Sequence, residues 1–490
     1  MVSILTYFPG EPRPQQRDVL LQLEKCWDEA DIFIIDAPVA VGKSRVAITL
    51  ARWMFKEKHI RSNIIVPTNV LLQQYRDEFP KMQCIQRKDM YRCINTLDAT
   101  DIEDANCDYI SKLQAEDGKP KYCPGCCYLK AVAMARRSPY MLANYWSYMA
   151  LKLFKTGLLI DESHNLLHII RDMEGKRLWR KDYGYPSTVT NYQQLLDWVS
   201  KHPRVHLDKK LGLLKDELEN GRQRYLVEKG FDLYRGREQE CLKLLPLDVR
   251  NAKPYFWPAK KISKIVMLSA TFSDVDVEQL GLTGRRVKQL TVTSPIPKER
   301  RPVIYMPIVN SSQAFQDVAA RRLATFLNDM NNSTKGFVHC TYGLASKLHF
   351  YLKGDSRFVF HDSENKMELF KQWRASPKSS GKVFIGCGLT EGIDLKGDDY
   401  GWQVLAKAQY GNLGEPAIKY QAETHPRDYV WSAMRDCAQA CGRICRSPDD
   451  YGETYLVDST FKRLFTQAKS YGIVPAWLNE QLVNPEELYG

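Results

Sequence analysis

The chain has 490 residues, 44% of them hydrophobic and 26% charged, which is typical of a soluble globular protein with about three domains. No apolar run is long enough to span a membrane, and the start lacks the basic region and apolar stretch of a signal peptide. The net charge of +12 favours a polyanionic partner, although a merely basic surface would explain it as well, and the 13 cysteines are expected to be thiols or metal ligands rather than disulfides.

The first chemical motif follows an N-terminal helical stretch that ends near Trp27. Ile32–Ile35 is a short apolar run that predicts a buried strand, and Val46–Lys56 has the period of an amphipathic helix. Gly42-Lys43-Ser44 lies between them, and strand, loop, Gly-Lys-Ser and helix together are the context of a phosphate-binding loop. Lys43 would reach the outer phosphates, and Ser44 would hold Mg²⁺.

The loop departs from the usual pattern at two positions. Ala37 stands where that pattern begins with glycine, and Ala40 stands where helicase versions of the loop carry glycine. Alanine is the smallest replacement for glycine, so we still expect the loop to bind a nucleotide. The loop residues expected at the nucleotide are Ala37, Pro38, Val39, Ala40, Val41, Gly42, Lys43 and Ser44.

Six cysteines fall between Cys84 and Cys127, in a stretch without helical or strand periodicity. Such a density is better explained by metal ligation than by packing, because metal binding can order a segment that has little core of its own. Four thiolates suit a [4Fe–4S] cluster, and a Cys-x-x-Cys spacing at Cys123 and Cys126 equally suits zinc. From the residues alone both metals remain open.

A second strand motif ends in two acids. Gly157–Ile160 predicts a buried strand, and Asp161-Glu162-Ser163-His164 follows at its carboxyl end, where ligands bind in open α/β sheets. Asp161 would hold Mg²⁺, and Glu162 would orient and deprotonate the attacking water. Residues from 166 to 257 are charged and mostly helical in period, and 265–271 predicts a further strand with a hydroxyl-rich end.

Beyond a proline-rich linker at 295–302, short strands alternate with helical runs, as they do before it. This alternation predicts an α/β fold with two parallel-sheet domains. Near the C-terminus, Gln439, Arg443 and Arg446 occur in Gln-Ala-Cys-Gly-Arg-Ile-Cys-Arg. The two arginines are three residues apart, so on a helix they would share a face and could meet γ-phosphate oxygens from the second domain.

These motifs together resemble those of XPD/DinG-type superfamily 2 helicases, the iron–sulfur branch that moves 5′ to 3′ on single-stranded DNA. The resemblance implies two RecA-like domains and adenine contact by Gln16 in Arg13-Pro14-Gln15-Gln16. Ser269-Ala270-Thr271 resembles motif III, and Leu389-Thr390-Glu391-Gly392-Ile393-Asp394 resembles motif V, so Glu391 and Asp394 are expected at the nucleotide. Pro246-Leu247-Asp248-Val249 also resembles the family.

For the cysteines, the resemblance implies an iron–sulfur cluster rather than zinc. The implied ligands are Cys93, Cys107, Cys123 and Cys127, with Cys126 as the alternative to Cys127.

The resemblance also implies a domain plan in which two inserts interrupt the first helicase domain. The expected segments are the first part of helicase domain 1 at 1–82, an iron–sulfur insert at 83–135, the motif II part at 136–165, a helical arch-like insert at 166–256, the motif III part at 257–298 and helicase domain 2 at 299–490.

The function implied is an ATP- and Mg²⁺-dependent, DNA-stimulated hydrolase that unwinds single-stranded and forked DNA substrates in replication, recombination or repair. A helicase-like binding protein with weak turnover and a helicase for RNA or RNA–DNA hybrids are the alternatives. We expect a cytoplasmic monomer without membrane contact, of bacterial origin or in the host cytoplasm if phage-encoded, with replication or repair proteins as further partners.

Overall fold

The computed structural model describes residues 2–86, 88–91, 125–220, 224–234, 237–250, 261–310, 316–330, 333–389 and 400–489. The strands are β1 Ile32–Asp36, β2 Ser62–Val66, β3 Cys84–Ile85, β4 Tyr140–Asn144, β5 Gly157–Asp161, β6 Lys176–Trp179, β7 Tyr225–Tyr234, β8 Arg237–Pro246, β9 Lys264–Ser269, β10 Val287–Thr291, β11 Val303–Val309, β12 Gly336–Cys340, β13 Phe358–Val359, β14 Val383–Cys387, β15 Trp402–Leu405 and β16 Glu453–Asp458.

The helices cover both faces of the sheets. They are α1 Pro14–Cys26, α2 Lys43–Lys58, α3 Asn69–Glu78, α4 Cys127–Arg137, α5 Tyr145–Ala150, α6 Leu166–Glu174, α7 Arg180–Tyr183, α8 Tyr192–Lys201, α9 Lys209–Glu219, α10 Asp274–Gln279, α11 Gln316–Asp329, α12 Tyr342–Leu352, α13 Lys366–Ala375, α14 Pro416–Thr424, α15 Pro426–Cys441, α16 Thr460–Ser470, α17 Ala476–Asn479 and α18 Pro485–Tyr489. Within the described residues, no helix is long and apolar enough to cross a membrane.

The first sheet is parallel and has the strand order β10-β1-β9-β5-β2-β4-β3. All five residues of β1 are buried, as expected for a strand covered on both faces. Phe33 and Ile35 face the core that contains α1 and α2, whereas Ile32 and Ile34 face the opposite core. Because the strands are parallel, the carboxyl ends of β1, β5 and β9 lie side by side at one edge.

The second sheet is also parallel, with the order β11-β16-β15-β12-β14-β13. The predicted α/β fold with two parallel-sheet domains is therefore confirmed. Strands β3, β4, β10 and β13 were not predicted. Their sequences are short or interrupted by polar residues, and pairing with a neighbouring strand is what orders them.

The segment between α6 and β9 differs from its helical prediction. It contains the expected helices, α8 and α9 among them, and also an antiparallel sheet of order β6-β8-β7. Leu178, Leu242 and Leu244 of this sheet join the helices in one apolar core. Charged residues occur on both faces of the β7–β8 hairpin, with Glu228 and Lys229 adjacent and both exposed, so the sequence lacks the alternation that predicts a strand.

The two parallel-sheet domains contact each other through α10 and α15. Arg427 of α15 pairs with Asp274 and Glu278 of α10, and the Trp431 indole donates to Asp276 at 3.0 Å. Asp276 is 3% exposed, so this contact is part of a buried junction between the domains.

Candidate nucleotide site between the two domains

The predicted phosphate-binding loop connects β1 to α2. Gly42 has φ of +81° and directly precedes Lys43, the first residue of α2. A Cβ atom at Gly42 would lie 2.5 Å from Nε2 of Gln16, so both its backbone conformation and its surroundings require glycine. Ala40 adopts φ of +68°, the left-handed conformation that glycine would take without strain. The alanine therefore keeps a glycine-like loop geometry.

Gln16 holds this loop from the N-terminal segment. Its Nε2 donates to the carbonyl of Gly42 at 3.2 Å, and its Oε1 accepts from the backbone N–H of Arg13 at 2.9 Å. The Arg13 guanidinium donates to the carbonyl of Ala40. Gln16 is 2% exposed, so its amide supports the loop in this structure, and its expected contact with adenine stays a prediction.

The two predicted acids lie opposite the loop, at the carboxyl end of β5. Oε1 of Glu162 is 3.3 Å from Nζ of Lys43, and Glu162 itself has a left-handed φ of +48°. Oδ1 of Asp161 accepts from the backbone N–H of Glu162 at 3.0 Å, while its Oδ2 accepts from the Tyr75 hydroxyl at 2.7 Å. The structure thus brings Lys43, Asp161 and Glu162 together as the sequence predicted.

The surroundings give the two acids different pKa values. Burial raises the pKa of Asp161, and the adjacent charge of Glu162 raises it further. Burial also acts to raise the pKa of Glu162, but the charge and hydrogen bond of Lys43, together with the charges of His164 and Arg446, outweigh it, so the pKa of Glu162 is lowered. Glu162 is therefore ionised at neutral pH, which is the state a general base needs.

His164 links the acids to the end of β9. Its Nδ1 lies 3.0 Å from Oγ of Ser269 and 3.4 Å from Oε2 of Glu162. Burial lowers the pKa of His164 to about 4, so the imidazole is neutral at pH 7 and acts as a hydrogen-bonding group rather than as a charge.

The second domain contributes the residues at the end of α15. Gln439 lies on the helix and its Nε2 donates to Oγ1 of Thr271 at 3.2 Å. Arg443 and Arg446 follow the helix, which ends at Cys441 with Gly442 as its C-cap. The prediction that the two arginines share a helix face is therefore wrong, because the helix ends at Cys441, before either arginine.

Both arginines nevertheless reach the site. Both line the cavity that Lys43 and Glu162 also line. Nε of Arg446 is buried and has no hydrogen-bond partner among the described residues. A buried guanidinium donor without a partner fits an anionic oxygen, because leaving it unsatisfied is costly.

These groups surround a cavity of about 400 Å³ between the domains, a volume suited to a small ligand. It is lined by Val39, Lys43, Pro67, Thr68, Leu71, Glu162, His164, Asn165, His168, Ile169, Ala270, Thr271, Ala438, Gln439, Gly442, Arg443, Arg446 and Trp477. Of the loop residues, Val39 and Lys43 line the cavity, and the donor set of one ammonium and two guanidinia fits the phosphates of a nucleotide.

The expected Mg²⁺ ligands have oxygen donors of the right type but other partners here. Oγ of Ser44 donates to Oε2 of Glu78 at 3.2 Å, and Asp161 accepts from Tyr75. Among the described residues, no group of three or more His, Cys, Asp or Glu is arranged to hold a metal ion. Cys93, Cys107, Cys123, Glu391 and Asp394 lie outside the described residues.

The two remaining predicted cysteine ligands begin α4. Cys127 is its first residue and exposed, and Cys126 is its half-buried N-cap. The ring of Tyr128 meets that of Tyr91 edge to face at 5.4 Å, so the described residues on either side of 92–124 are in contact.

Sequence reasoning missed three residues of the site. Tyr75 and Trp477 belong to no motif. Tyr75 contacts Asp161, which is 86 positions away in the chain, and Trp477 contacts Ala270, which is 207 positions away. Arg13 stands in the N-terminal motif, but its bond to the carbonyl of Ala40 is set by the loop conformation.

Comparisons with known proteins agree with this architecture. Residues 10–204 match a family model described as the res subunit of type III restriction enzymes, and residues 333–481 match one described as a helicase C-terminal domain. A comparison with curated proteins finds no match.

Among solved structures, Xpd4 of S. tokodaii is similar over 96% of this chain and 99% of its own, with 14% identity and a TM-score of 0.55. An XPD structure in its apo form is similar over 95% of this chain and 99% of its own, again with 14% identity and a TM-score of 0.55. At 14% identity, the similarity to these two structures shows the fold alone.

The segment before the linker thus matches a model of type III restriction enzyme res subunits, the segment after it matches a helicase C-terminal domain, and the fold that contains both is similar to that of XPD structures. The similarity of fold agrees with the resemblance to XPD/DinG-type helicases found in the sequence.

Proposed function

We propose that the protein is an ATP-dependent DNA helicase that uses Mg²⁺ and moves 5′ to 3′ on single-stranded DNA. The observation that carries the proposal is the meeting of Lys43, Glu162 and Arg446 around one cavity formed by both domains. Such a site hydrolyses a nucleotide only when the domains are docked, so turnover can drive their relative motion along a strand.

In this proposal each group has a separate task. The loop amides and Lys43 bind the phosphates, and Ser44 and Asp161 would hold Mg²⁺, which would neutralise phosphate charge. Glu162 accepts a proton from the attacking water, and Arg443 and Arg446 stabilise charge that develops on the γ-phosphate. Gln16, Glu391 and Asp394 would complete the nucleotide contacts.

The experiment is ATP hydrolysis with and without single-stranded DNA, followed by strand displacement on 5′- and 3′-tailed duplexes. We expect DNA to stimulate hydrolysis, and displacement to require the 5′ tail. Lys43→Ala should abolish both, while Lys56→Ala, an exposed lysine on the same helix, should leave both intact. If the protein prefers to unwind RNA–DNA hybrids, its substrate is the hybrid and not duplex DNA.

A helicase-like protein with weak turnover is the second candidate, since Ala37 and Ala40 replace glycines. The glycine-like conformation of Ala40 supports turnover instead. Wild-type protein that binds ATP without DNA-stimulated hydrolysis would favour this candidate.

We further propose a [4Fe–4S] cluster on Cys93, Cys107, Cys123 and Cys127. The contact between Tyr91 and Tyr128, beside two of these positions, supports it. Anaerobically purified protein should be brown and contain about four iron atoms, as this type of cluster requires. Cys127→Ser should bleach the protein, and Cys126→Ser, the matched control, should leave its colour unchanged. The reverse result would make Cys126 the fourth ligand, and colourless protein with stoichiometric zinc would show a zinc site in place of the cluster.

The further expectations of a cytoplasmic monomer that works on forked DNA with replication or repair partners rest on the family resemblance.

A further inference from the structure

Trp477 forms a contact between the domains that the motifs do not account for. It lies on α17 of the second domain, and its indole Nε1 donates to the carbonyl of Ala270 in the first domain at 2.8 Å. Trp477 is 5% exposed and Ala270 9%, so water has little access to this bond. Trp477 also lines the cavity that holds Lys43 and Glu162.

The domain-2 side of Trp477 is fixed firmly. The Arg301 guanidinium donates to the backbone carbonyl of Trp477 at 3.3 Å and to that of Ile296 at 3.0 Å. Nε2 of Gln481 donates to the same Trp477 carbonyl at 2.6 Å. A Cβ atom at Gly442 would lie 3.4 Å from the indole, so the ring lies against the turn that leads to Arg443.

The domain-1 side of the contact leads to Glu162, the proposed general base. Ala270 follows Ser269, whose Oγ accepts from the backbone N–H of Thr271 at 3.1 Å and lies 3.0 Å from Nδ1 of His164. His164 in turn lies 3.4 Å from Glu162. A continuous series of buried or half-buried contacts thus joins Trp477 to the general base.

We propose that Trp477 is a positioning residue that holds the turn at Ala270, and through it His164 and Glu162, in the reactive arrangement when the second domain is docked. This inference rests on the proposed hydrolysis of ATP at this site. Trp477 touches the backbone of the first domain and not the reacting atoms, so its effect should fall on the rate of the chemical step more than on nucleotide affinity.

A matched control exists at the same domain interface. Trp431 also donates its indole N–H across the interface, to Asp276 at 3.0 Å, and is 1% exposed, but it does not line the cavity. Trp477→Phe and Trp431→Phe each remove one buried indole N–H and keep an aromatic ring. A difference between the two variants therefore reports the position of the contact rather than the general strength of the interface.

The first measurement is steady-state ATP hydrolysis with saturating single-stranded DNA. We expect Trp477→Phe to lower kcat about tenfold, the equivalent of one hydrogen bond, with KM changed less than about twofold. Trp431→Phe should retain kcat within about twofold. Equal losses in both variants, or wild-type kcat in Trp477→Phe, would overturn the inference.

The second measurement is hydrogen exchange of the full chain, which does not depend on turnover. Trp477→Phe should speed exchange in peptides that contain 162–165 and 269–272, and Trp431→Phe should not. Unchanged exchange at 162–165 in Trp477→Phe would show that Trp477 does not position Glu162, even if the wild-type protein hydrolyses ATP. Wild-type protein without hydrolysis but with the expected exchange pattern would instead reject the proposed function and keep the link.

Discussion

Nζ of Lys43 lies 3.3 Å from Oε1 of Glu162, so the ammonium at the proposed phosphate-binding loop and the carboxylate of the proposed general base neutralise each other in this structure. A nucleotide phosphate at the loop would attract Lys43 and free the carboxylate for water. The Lys43 charge also keeps the pKa of Glu162 low, so the carboxylate is ionised before the nucleotide arrives.

Replacement of Glu162 by glutamine tests its role as the base. Glu162→Gln should bind ATP with near wild-type affinity and lower kcat by about 10²-fold or more, because an amide can orient water but cannot accept its proton. Single-turnover hydrolysis and nucleotide binding measure the two effects separately. Glu423→Gln, an exposed acid on α14, should behave as wild type, and DNA-stimulated turnover in Glu162→Gln would show that another group is the base.

Arg446 should act on the transition state more than on ground-state binding. Its Nε is buried without a partner among the described residues, and it lies close enough to Glu162 to lower that pKa. Arg446→Ala should reduce kcat by about 10³-fold with little change in nucleotide affinity, and we expect Arg443→Ala to behave similarly.

Steady-state kinetics together with DNA binding measure the arginine effects. Arg321→Ala, an exposed arginine on α11, serves as the control. A loss confined to DNA affinity would place Arg443 and Arg446 on the DNA backbone instead.

Ala40 stores backbone strain in the phosphate-binding loop. A left-handed φ costs an alanine about 1 kcal/mol or more, and glycine avoids most of that cost. Ala40→Gly should therefore raise the free energy of unfolding by roughly 0.5 kcal/mol after the larger backbone entropy of glycine is counted. Ala422→Gly, in the helix α14, should lower it by about 1 kcal/mol, so chemical denaturation should give opposite signs for the two variants.

Asp276 should make stability depend on pH at the domain interface. Burial raises its pKa from 3.8 to about 6, against the opposing charge of Arg435, so the folded protein binds this proton more tightly than the unfolded chain. The protonated carboxyl group therefore adds to the free energy of unfolding below pH 4, and this stabilisation is lost as the pH rises through about 6. The loss is at most about 3 kcal/mol.

Asp276→Asn removes the titrating group. As the pH rises from 4 to 6.5, the unfolding free energy of the wild type should therefore fall relative to that of the variant. Denaturant unfolding at several pH values measures this difference. A difference that is flat over this range would mean that Asp276 stays ionised in the folded protein.

Much of the fold followed from the sequence because buried parallel strands are continuous apolar runs. Ile32–Ile35 and Gly157–Ile160 could be found as strands from their own residues, and the residues that follow each strand had to meet at one sheet edge. The pairing of Lys43 with Glu162 was therefore predictable once both motifs were found. The strands β7 and β8 were not, because their sequences do not alternate regularly between polar and apolar residues and they lie in a segment whose helical period dominates.

The sequence by itself determined which residues could carry the chemistry, since glycine, lysine and carboxylates at fixed spacing have few other uses together. Tertiary structure alone decided how they are held. The support of the loop by Gln16 and the bond from Trp477 to Ala270 join residues distant in the chain. Local periodicity cannot encode such contacts, because they depend on the docking of two separately formed sheets.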